Sequence, residues 1–328
     1  MDDKTWERMK AILDAEAMGR DPKRVVSKRT LFGIPSHVEE VIAKTVAENE
    51  EKIRAKNGKR GDGAPSTFKL ALAQCVHPDD HDPVAQVERF ASQAAEEGAS
   101  ILAFPESLMT PYSKERDEFL EDAQPIDGPF AQAIDDIARR HGLWLVYTLN
   151  ERNDEDERRP FNTAVITDDK GVKRGVYRKT HLFDAEAEHE SDRMQAGDEL
   201  LAPIEAPFAT IAVAICYDLR FPEVARKAAL QGCQLMIFPA SWVDGPGKAR
   251  QWRTLISARA IENEMFVAGL SRADETRIGR SCVADPWGNI IAEGGTGEEL
   301  ITCDIDLSKI DEARANMPIF QHRRPELY

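Results

Sequence analysis

From Lys69 onward, short apolar runs alternate with longer stretches in which apolar residues return every three or four positions. Runs at Lys69 to Val76, Ser100 to Phe104, Leu143 to Leu149, Asn162 to Thr167, Thr210 to Cys216 and Gln234 to Phe238 have the length and bounding residues of strands. Pro83 to Glu97 places Val84, Val87, Phe90, Ala91 and Ala94 on one side of a helix. Phe130 to His141, Pro222 to Gln231 and Lys248 to Asn263 read the same way. Shorter strands are expected at Met265 to Leu270, Ser281 to Ala284, Ile290 to Ala292 and Leu300 to Asp304, with turns at Gly288-Asn289 and Gly294-Gly295. The pattern predicts an α/β fold, and 328 residues give one large domain or two modest ones ample chain to bury a core.

The first 66 residues differ in kind. They carry 14 Lys/Arg and 12 Asp/Glu, so the acidity behind the net charge of −15 lies almost wholly in the remainder. Thr5 to Ala17 and Ser36 to Ala55 read as charged amphipathic helices, the second with a stripe of Val38, Val41, Ile42, Val46 and Ile53. Lys56 to Ser66, rich in Gly, Lys and Asp, reads as a linker. The division expected is therefore a helical extension and linker over 1–66 and a second domain over 67–328. The apolar stripe calls for a surface to pack on, as a clamp, an oligomer contact or a lid; the bland reading is a loosely packed appendage.

Charge and cysteine usage exclude several function classes. A net charge of −15 with no basic, aromatic-interleaved stripe in the acidic remainder argues against a nucleic-acid groove. Five widely spaced cysteines give neither a disulfide framework nor metal-ligand spacing, and the seven histidines form no cluster, so no metal and no cofactor are expected. Cys75, Cys233, Cys282 and Cys303 read as core residues. The start Met1-Asp2-Asp3-Lys4 lacks the features of a signal peptide, and no apolar run reaches the length of a bilayer span. A cytoplasmic protein without membrane partners is expected. Gly294-Gly295-Thr296-Gly297 opens into Glu298-Glu299, which would repel a phosphate.

Three strand exits carry chemistry. Ala212-Val213-Ala214-Ile215-Cys216-Tyr217-Asp218 delivers a thiol where an apolar strand gives way to a turn and to Pro222, the start of a helix. Ile101-Leu102-Ala103-Phe104-Pro105-Glu106 delivers a carboxylate, which desolvation would push upward toward the range of a general base. Val176-Tyr177-Arg178-Lys179-Thr180-His181 delivers an ammonium able to favour a thiolate and to stabilise an oxyanion. Taken singly, each has an ordinary reading: a buried small residue, a turn glutamate, an exposed basic pair.

Together, Phe104-Pro105-Glu106-Ser107, Tyr177-Arg178-Lys179-Thr180-His181-Leu182-Phe183, Cys216-Tyr217-Asp218-Leu219-Arg220-Phe221-Pro222-Glu223 and Ala258-Arg259-Ala260-Ile261-Glu262-Asn263 resemble the nitrilase superfamily of carbon-nitrogen hydrolases, over about Phe68 to Tyr328. The resemblance implies a four-layer α-β-β-α sandwich with the N-terminal helical piece as an addition, and a Glu106, Lys179, Cys216 triad converging at one end of the sheets. It also implies a second glutamate. Glu190, in His189-Glu190-Ser191 ahead of Gly197-Asp198, matches that position better than Glu186 or Glu188, which read as a solvated acidic loop. Arg259 and Glu262 read as surface or interface pairing, and His181 as a satisfied histidine that could also orient the lysine loop.

The implied activity is hydrolysis of a small terminal amide through a thioester, as in the branch of ω-amidases and deaminated-glutathione amidases, with Tyr217 N–H joining Lys179 at the oxyanion. N-carbamoyl amidohydrolases and nitrilases share the triad, an acyltransferase would resolve the thioester with an amine, and a non-catalytic scaffold would keep the fold alone. Tyr112, Tyr217, Trp242 and Arg220 are the candidate pocket residues, although Arg220 could instead hold the turn in an ion pair. Gln251 precedes Trp252 where relatives often carry histidine. The resemblance further implies a homodimer or higher homo-oligomer, with Ile310 to Tyr328 either exchanged across the interface or packed on its own chain.

Overall fold

The computed structural model describes residues 66–77, 82–110, 120–185 and 188–327. The helices and most of the linker expected within 1–66, and the candidates Tyr112 and Glu186, lie outside the described residues. Along the chain run β1 (Thr67–Gln74), α1 (Pro83–Glu96), β2 (Ile101–Ala103), α2 (Pro129–His141), β3 (Trp144–Glu151), β4 (Phe161–Thr167) and β5 (Lys173–Arg178). Next come the small hairpin β6 (Asp184–Ala185) and β7 (Glu188–His189), then β8 (Ile204–Glu205), β9 (Thr210–Val213), α3 (Pro222–Leu230), β10 (Leu235–Ala240) and α4 (Lys248–Asn263). The rest comprises β11 (Phe266–Ser271), β12 (Cys282–Ala284), β13 (Ile290–Glu293), β14 (Glu299–Asp306), α5 (Ser308–Asn316) and α6 (Ile319–His322).

Two six-stranded sheets result, in the orders β14-β1-β2-β3-β4-β5 and β13-β12-β11-β10-β9-β8. Each is built to the same plan. In the first, β1, β2 and β3 are parallel and joined through α1 and α2, and β4 and β5 then return antiparallel. In the second, β9, β10 and β11 are parallel and joined through α3 and α4, followed by antiparallel β12 and β13. Parallel strands need such crossovers, and the helices cover the outer faces.

Period-two alternation sets the layers. Leu70, Leu72, Ile101, Ala103 and Val146 face a core shared with the second sheet, while Ala71, Ala73, Leu102, Leu145 and Tyr147 pack with α1 and α2. Val224, Ala225, Trp252, Ile256 and Ala260 of α3 and α4 pack against the second sheet. The order helix, sheet, sheet, helix is the α-β-β-α sandwich expected. Close approach explains one glycine: a Cβ on Gly269 of β11 would stand 2.5 Å from Ile256 and 2.6 Å from Trp252.

Strand ends depart from expectation where the backbone finds another partner. The run Thr210 to Cys216 is regular strand only to Val213, because Ile215 N–H turns to the Asp218 carboxylate at 2.8 Å and a 3-10 turn, Cys216–Arg220, begins. Cys303, expected in the core, is half-buried on β14, whereas Cys75, Cys233 and Cys282 are buried. Phe320 of the C-terminal segment has the guanidinium groups of Arg226 of α3 and Arg314 of α5 at 5.3 and 5.2 Å from its ring centre. Among the described residues no helix is long and apolar enough to cross a membrane.

Candidate active site

The carboxyl ends of parallel strands in both sheets meet at one place, where side chains leave the ladder and open space begins. Glu106 follows β2, and the residue after it, Ser107, turns in the left-handed region at φ 60°. Lys179 follows β5. Cys216 follows β9 and itself has φ 45°, a conformation that costs a residue with a Cβ about 1–2 kcal/mol. Such strain is held by its surroundings, here by Asp218 two residues on. Ser241 follows β10, the position in the second sheet that corresponds to Glu106 in the first.

These residues form one hydrogen-bonded cluster. Lys179 Nζ donates to Glu106 Oε1 at 2.8 Å and to Glu190 Oε1 and Oε2 at 2.9 and 2.8 Å. Lys179, Glu106 and Glu190 are each only 2% exposed, so none survives as a charge without the others. Asn162 Nδ2 donates to Glu106 Oε1 at 2.8 Å and, more weakly, to Glu190 Oε1 at 3.4 Å. Ser241 N–H donates to Glu106 Oε2 at 2.8 Å, and Phe183 N–H to Glu190 Oε2 at 2.6 Å. The Cys216 thiol lines the same pocket, where the Glu106 charge acts on it. Glu188, by contrast, pairs with Arg193 at 3.2 Å, outside the cluster.

The proton positions follow from these contacts. Burial works to raise the Glu106 carboxyl, but the charge of Lys179 and hydrogen bonds from Lys179 and Ser241 outweigh it, so the group lies below its ordinary value. That corrects the upward shift expected from desolvation alone. Burial works to lower Lys179, and Glu106 and Glu190 outweigh it, holding the ammonium well above its ordinary value. Burial, then the Glu106 charge, push the Cys216 thiol well up despite Lys179, so the resting group is a thiol.

Asp218 ties the lysine segment to the cysteine turn. It is fully buried and accepts from Ile215 N–H at 2.8 Å, Tyr177 Oη at 2.7 Å, Thr180 Oγ1 at 3.3 Å and His181 N–H at 3.1 Å. His181 Nδ1 lies 2.7 Å from the same carboxylate, and its ring stacks on Phe221 at 3.8 Å. His181 is thus both satisfied and orienting. Arg259 is buried rather than a surface residue: it pairs with Glu262 at 2.9 Å and donates to Leu219 O at 3.0 Å, bracing the turn from α4.

Glu106, Lys179, Glu190 and Cys216 line a pocket with Tyr217, Trp242, Arg220, Phe183, Lys248 and Arg277. Of the candidate pocket residues, Tyr217, Trp242 and Arg220 are there. Among the described residues Arg220 meets no carboxylate in an ion pair; it lies 4.8 Å from the Trp242 ring and donates to Gln251 Oε1 at 2.9 Å, which gives the unusual Gln251 a role. Asn162 and the Ser241 backbone went unnoticed in the sequence. An asparagine opening a strand is a weak signal, and a main-chain donor leaves none. Among the described residues no group of His, Cys, Asp and Glu is placed to hold a metal ion.

A family model described as carbon-nitrogen hydrolase matches residues 69–315. The omega-amidase NIT2 of Homo sapiens is 32% identical over 274 residues, covering 80% of this chain and 97% of that protein. The solved structure of the Caenorhabditis elegans NitFhit protein superposes with a TM-score of 0.75 at 31% identity, over 81% of this chain and 67% of that one. Saccharomyces cerevisiae Nit3, described as a member of branch 10 of the nitrilase superfamily, superposes with a TM-score of 0.71 at 29% identity, over 79% of this chain and 97% of that one.

Proposed function

The chain belongs to the carbon-nitrogen hydrolase family, as a hydrolase of carbon-nitrogen bonds other than peptide bonds, and from that premise we propose that it cleaves a small terminal amide through a thioester on Cys216. The observation behind this reading is one buried ammonium, Lys179, held between two carboxylates, one of which, Glu106, lines the same pocket as the Cys216 thiol. That arrangement stores a base without its proton beside a nucleophile that still has one.

In the proposed sequence, Cys216 Sγ attacks the amide carbonyl carbon while its proton passes to Glu106. The carbonyl π electrons move to oxygen, where Lys179 Nζ and Tyr217 N–H stabilise the charge. Glu106 returns the proton to nitrogen, the C–N bond breaks, and ammonia leaves a thioester. Water then attacks the thioester, its proton going to Glu106 and from there to the departing thiolate. Glu190 keeps Lys179 in place throughout, and the acid is released. The ω-amidase relatives favour the terminal amide over carbamoyl and nitrile substrates, which the same triad would also serve.

Ammonia release from terminal amides, N-carbamoyl amines and nitriles tests the proposal. Wild type is expected to act on amides and Cys216→Ala on none, with mass spectrometry of quenched turnovers showing acylated Cys216. Substantial release by Cys216→Ala would overturn the mechanism. Release from carbamoyl compounds alone would overturn the substrate.

A further inference from the structure

The two buried carboxylates have one acceptor position to spare. Lys179 Nζ has three N–H donors and meets three carboxylate oxygens, Glu106 Oε1 at 2.8 Å and Glu190 Oε1 and Oε2 at 2.9 and 2.8 Å. At rest, then, the ammonium keeps no hydrogen for an oxyanion. Glu190 Oε1 also accepts from Asn162 Nδ2 at 3.4 Å, and Glu190 Oε2 from Phe183 N–H at 2.6 Å. Each Glu190 oxygen therefore has two donors, its full complement. Glu106 is different. Its Oε1 takes Lys179 and, at 2.8 Å, Asn162 Nδ2, whereas its Oε2 takes the Ser241 N–H at 2.8 Å and no other donor among the described residues. The open lone pair thus sits on Oε2 of a carboxylate that lines the pocket with Cys216.

Asn162 stands behind this arrangement. It is 6% exposed and is not among the residues that line the pocket, so it acts on a substrate only through others. Its amide bridges the two carboxylates, and its main-chain O accepts from Lys179 N–H at 2.9 Å, so one residue near the start of β4 touches all three charged groups. We infer that Asn162 is a positioning residue for the proton transfer: it fills Glu106 Oε1, which leaves Oε2 to take the thiol proton, and it holds that carboxyl in place when Lys179 turns away. The inference rests on Cys216 as nucleophile and Glu106 as base. As Cys216 Sγ bonds to the carbonyl carbon, the S–H proton passes to Oε2 and the carbonyl π pair moves to oxygen. Glu106 is then neutral and its hold on the ammonium weakens, which frees the Lys179 N–H that pointed at Oε1 to reach the new oxyanion. The donor for the oxyanion is released by the same transfer that creates the oxyanion. Asn162 stays at Oε1 meanwhile, so the acid does not swing off before it returns the proton to the leaving nitrogen.

The test uses the full chain, as wild type, as Asn162→Leu, which keeps the branched outline and removes both donors, and as Asn162→Asp, which puts an oxygen where the NH2 group stood. Ammonia release from terminal amides is followed against pH. Separately, the protonated-carboxyl stretch of Glu106 is titrated in the infrared, assigned by its loss in Glu106→Gln. Removing a donor from the charged form favours the neutral one, so in Asn162→Leu the acid limb of kcat/KM and the infrared midpoint should both rise by about one to two pH units. The value of kcat should fall about 10- to 100-fold with KM little changed, the range for loss of one charged hydrogen bond. A folding defect would lower the active fraction and move neither midpoint. Asn162→Asp should move both midpoints at least as far, so the measurement survives if the leucine variant does not fold. Unmoved midpoints in a folded variant, or a loss confined to KM, overturn the inference. Absence of ammonia from every amide with wild type overturns the amide reading instead, and the infrared titration still decides the role of Asn162.

Discussion

At Glu106, Lys179 and Cys216 the decisive quantity is where the protons rest. Glu106 is held below the ordinary carboxylate range and Lys179 above the ordinary ammonium range, while the thiol is pushed up by burial and by Glu106. The neutral-pH state is therefore carboxylate, ammonium and thiol, with the base already empty. Because the Glu106 value is depressed, its ionised form is lost only as pH falls through that lowered value. The acid limb of kcat/KM is expected below about pH 4.3, the ordinary glutamic acid value. A limb near neutrality would refute this order of protons. Glu106→Gln should lower turnover by about 10²- to 10⁴-fold, the usual contribution of a positioned base. It should also move the pH midpoint of Cys216 alkylation downward, since the lost charge is one that raises the thiol; an upward move would contradict the assignment. The three strand-exit residues were legible because a thiol and an acid each ended an apolar run and a lysine ended a strand-like one, and resemblance to a known family joined them. Asn162 was not, since its amide acts across sheet positions that adjacent sequence does not relate. The direction of the Glu106 shift was not legible either, because burial alone was visible and the compensating ammonium is distant in the chain.

The elements place these residues through a shared brace. Asp218, in the turn after β9, accepts from Tyr177 in β5 and from Thr180 and His181 just beyond it, so one buried carboxylate fixes the lysine segment to the cysteine turn. In Asp218→Asn one acceptor oxygen becomes an NH2 group, and either Tyr177 and Ile215 or Thr180 and His181 lose their shared partner. A misplacement near 1 Å can cost about 10²-fold, so kcat is expected to fall by about that factor with KM little changed. A folded variant with unchanged kcat would show that the two segments hold themselves. At this scale the sequence was most readable where periodicity was clean: α1 was expected over Pro83 to Glu97 and spans Pro83–Glu96, and α4 spans Lys248–Asn263 as expected. The run ending at Cys216 misled because Ala214, Ile215 and Cys216 are apolar without being strand. Their backbone is bent by a carboxylate that follows them, a contact that hydrophobic patterning does not encode.

Across the whole molecule, the two sheets present one active end, and the C-terminal segment is fastened elsewhere, around α3 and the end of α4. There Glu264, buried and in the left-handed region at φ 46°, shares its surroundings with Arg314 of α5, Arg226 of α3 and the Ile319 backbone. Burial pushes its carboxyl up to about 7 against Arg314, the Ile319 N–H and Arg226, which act to lower it. Burial likewise lowers Arg314, whose charge Glu264, Asp311 and Cys233 partly support. The sign follows from linkage: a group whose folded value exceeds its unfolded value contributes stability that is complete below the unfolded value, near pH 4.3, and is lost as pH rises through the folded one. Glu264 therefore favours the folded state in mild acid and ceases to do so above about pH 7. Thermal unfolding of wild type and Glu264→Gln, compared between pH 5.5 and 8, isolates the contribution, since glutamine keeps the shape and removes the titration. Wild type should lose more Tm than the variant across that interval, and parallel curves would show that Glu264 titrates as it does in the unfolded chain. Because Phe320 is held by the same two arginines, proteolysis after the C-terminal helices should rise with pH in wild type over the same window and stay level in the variant.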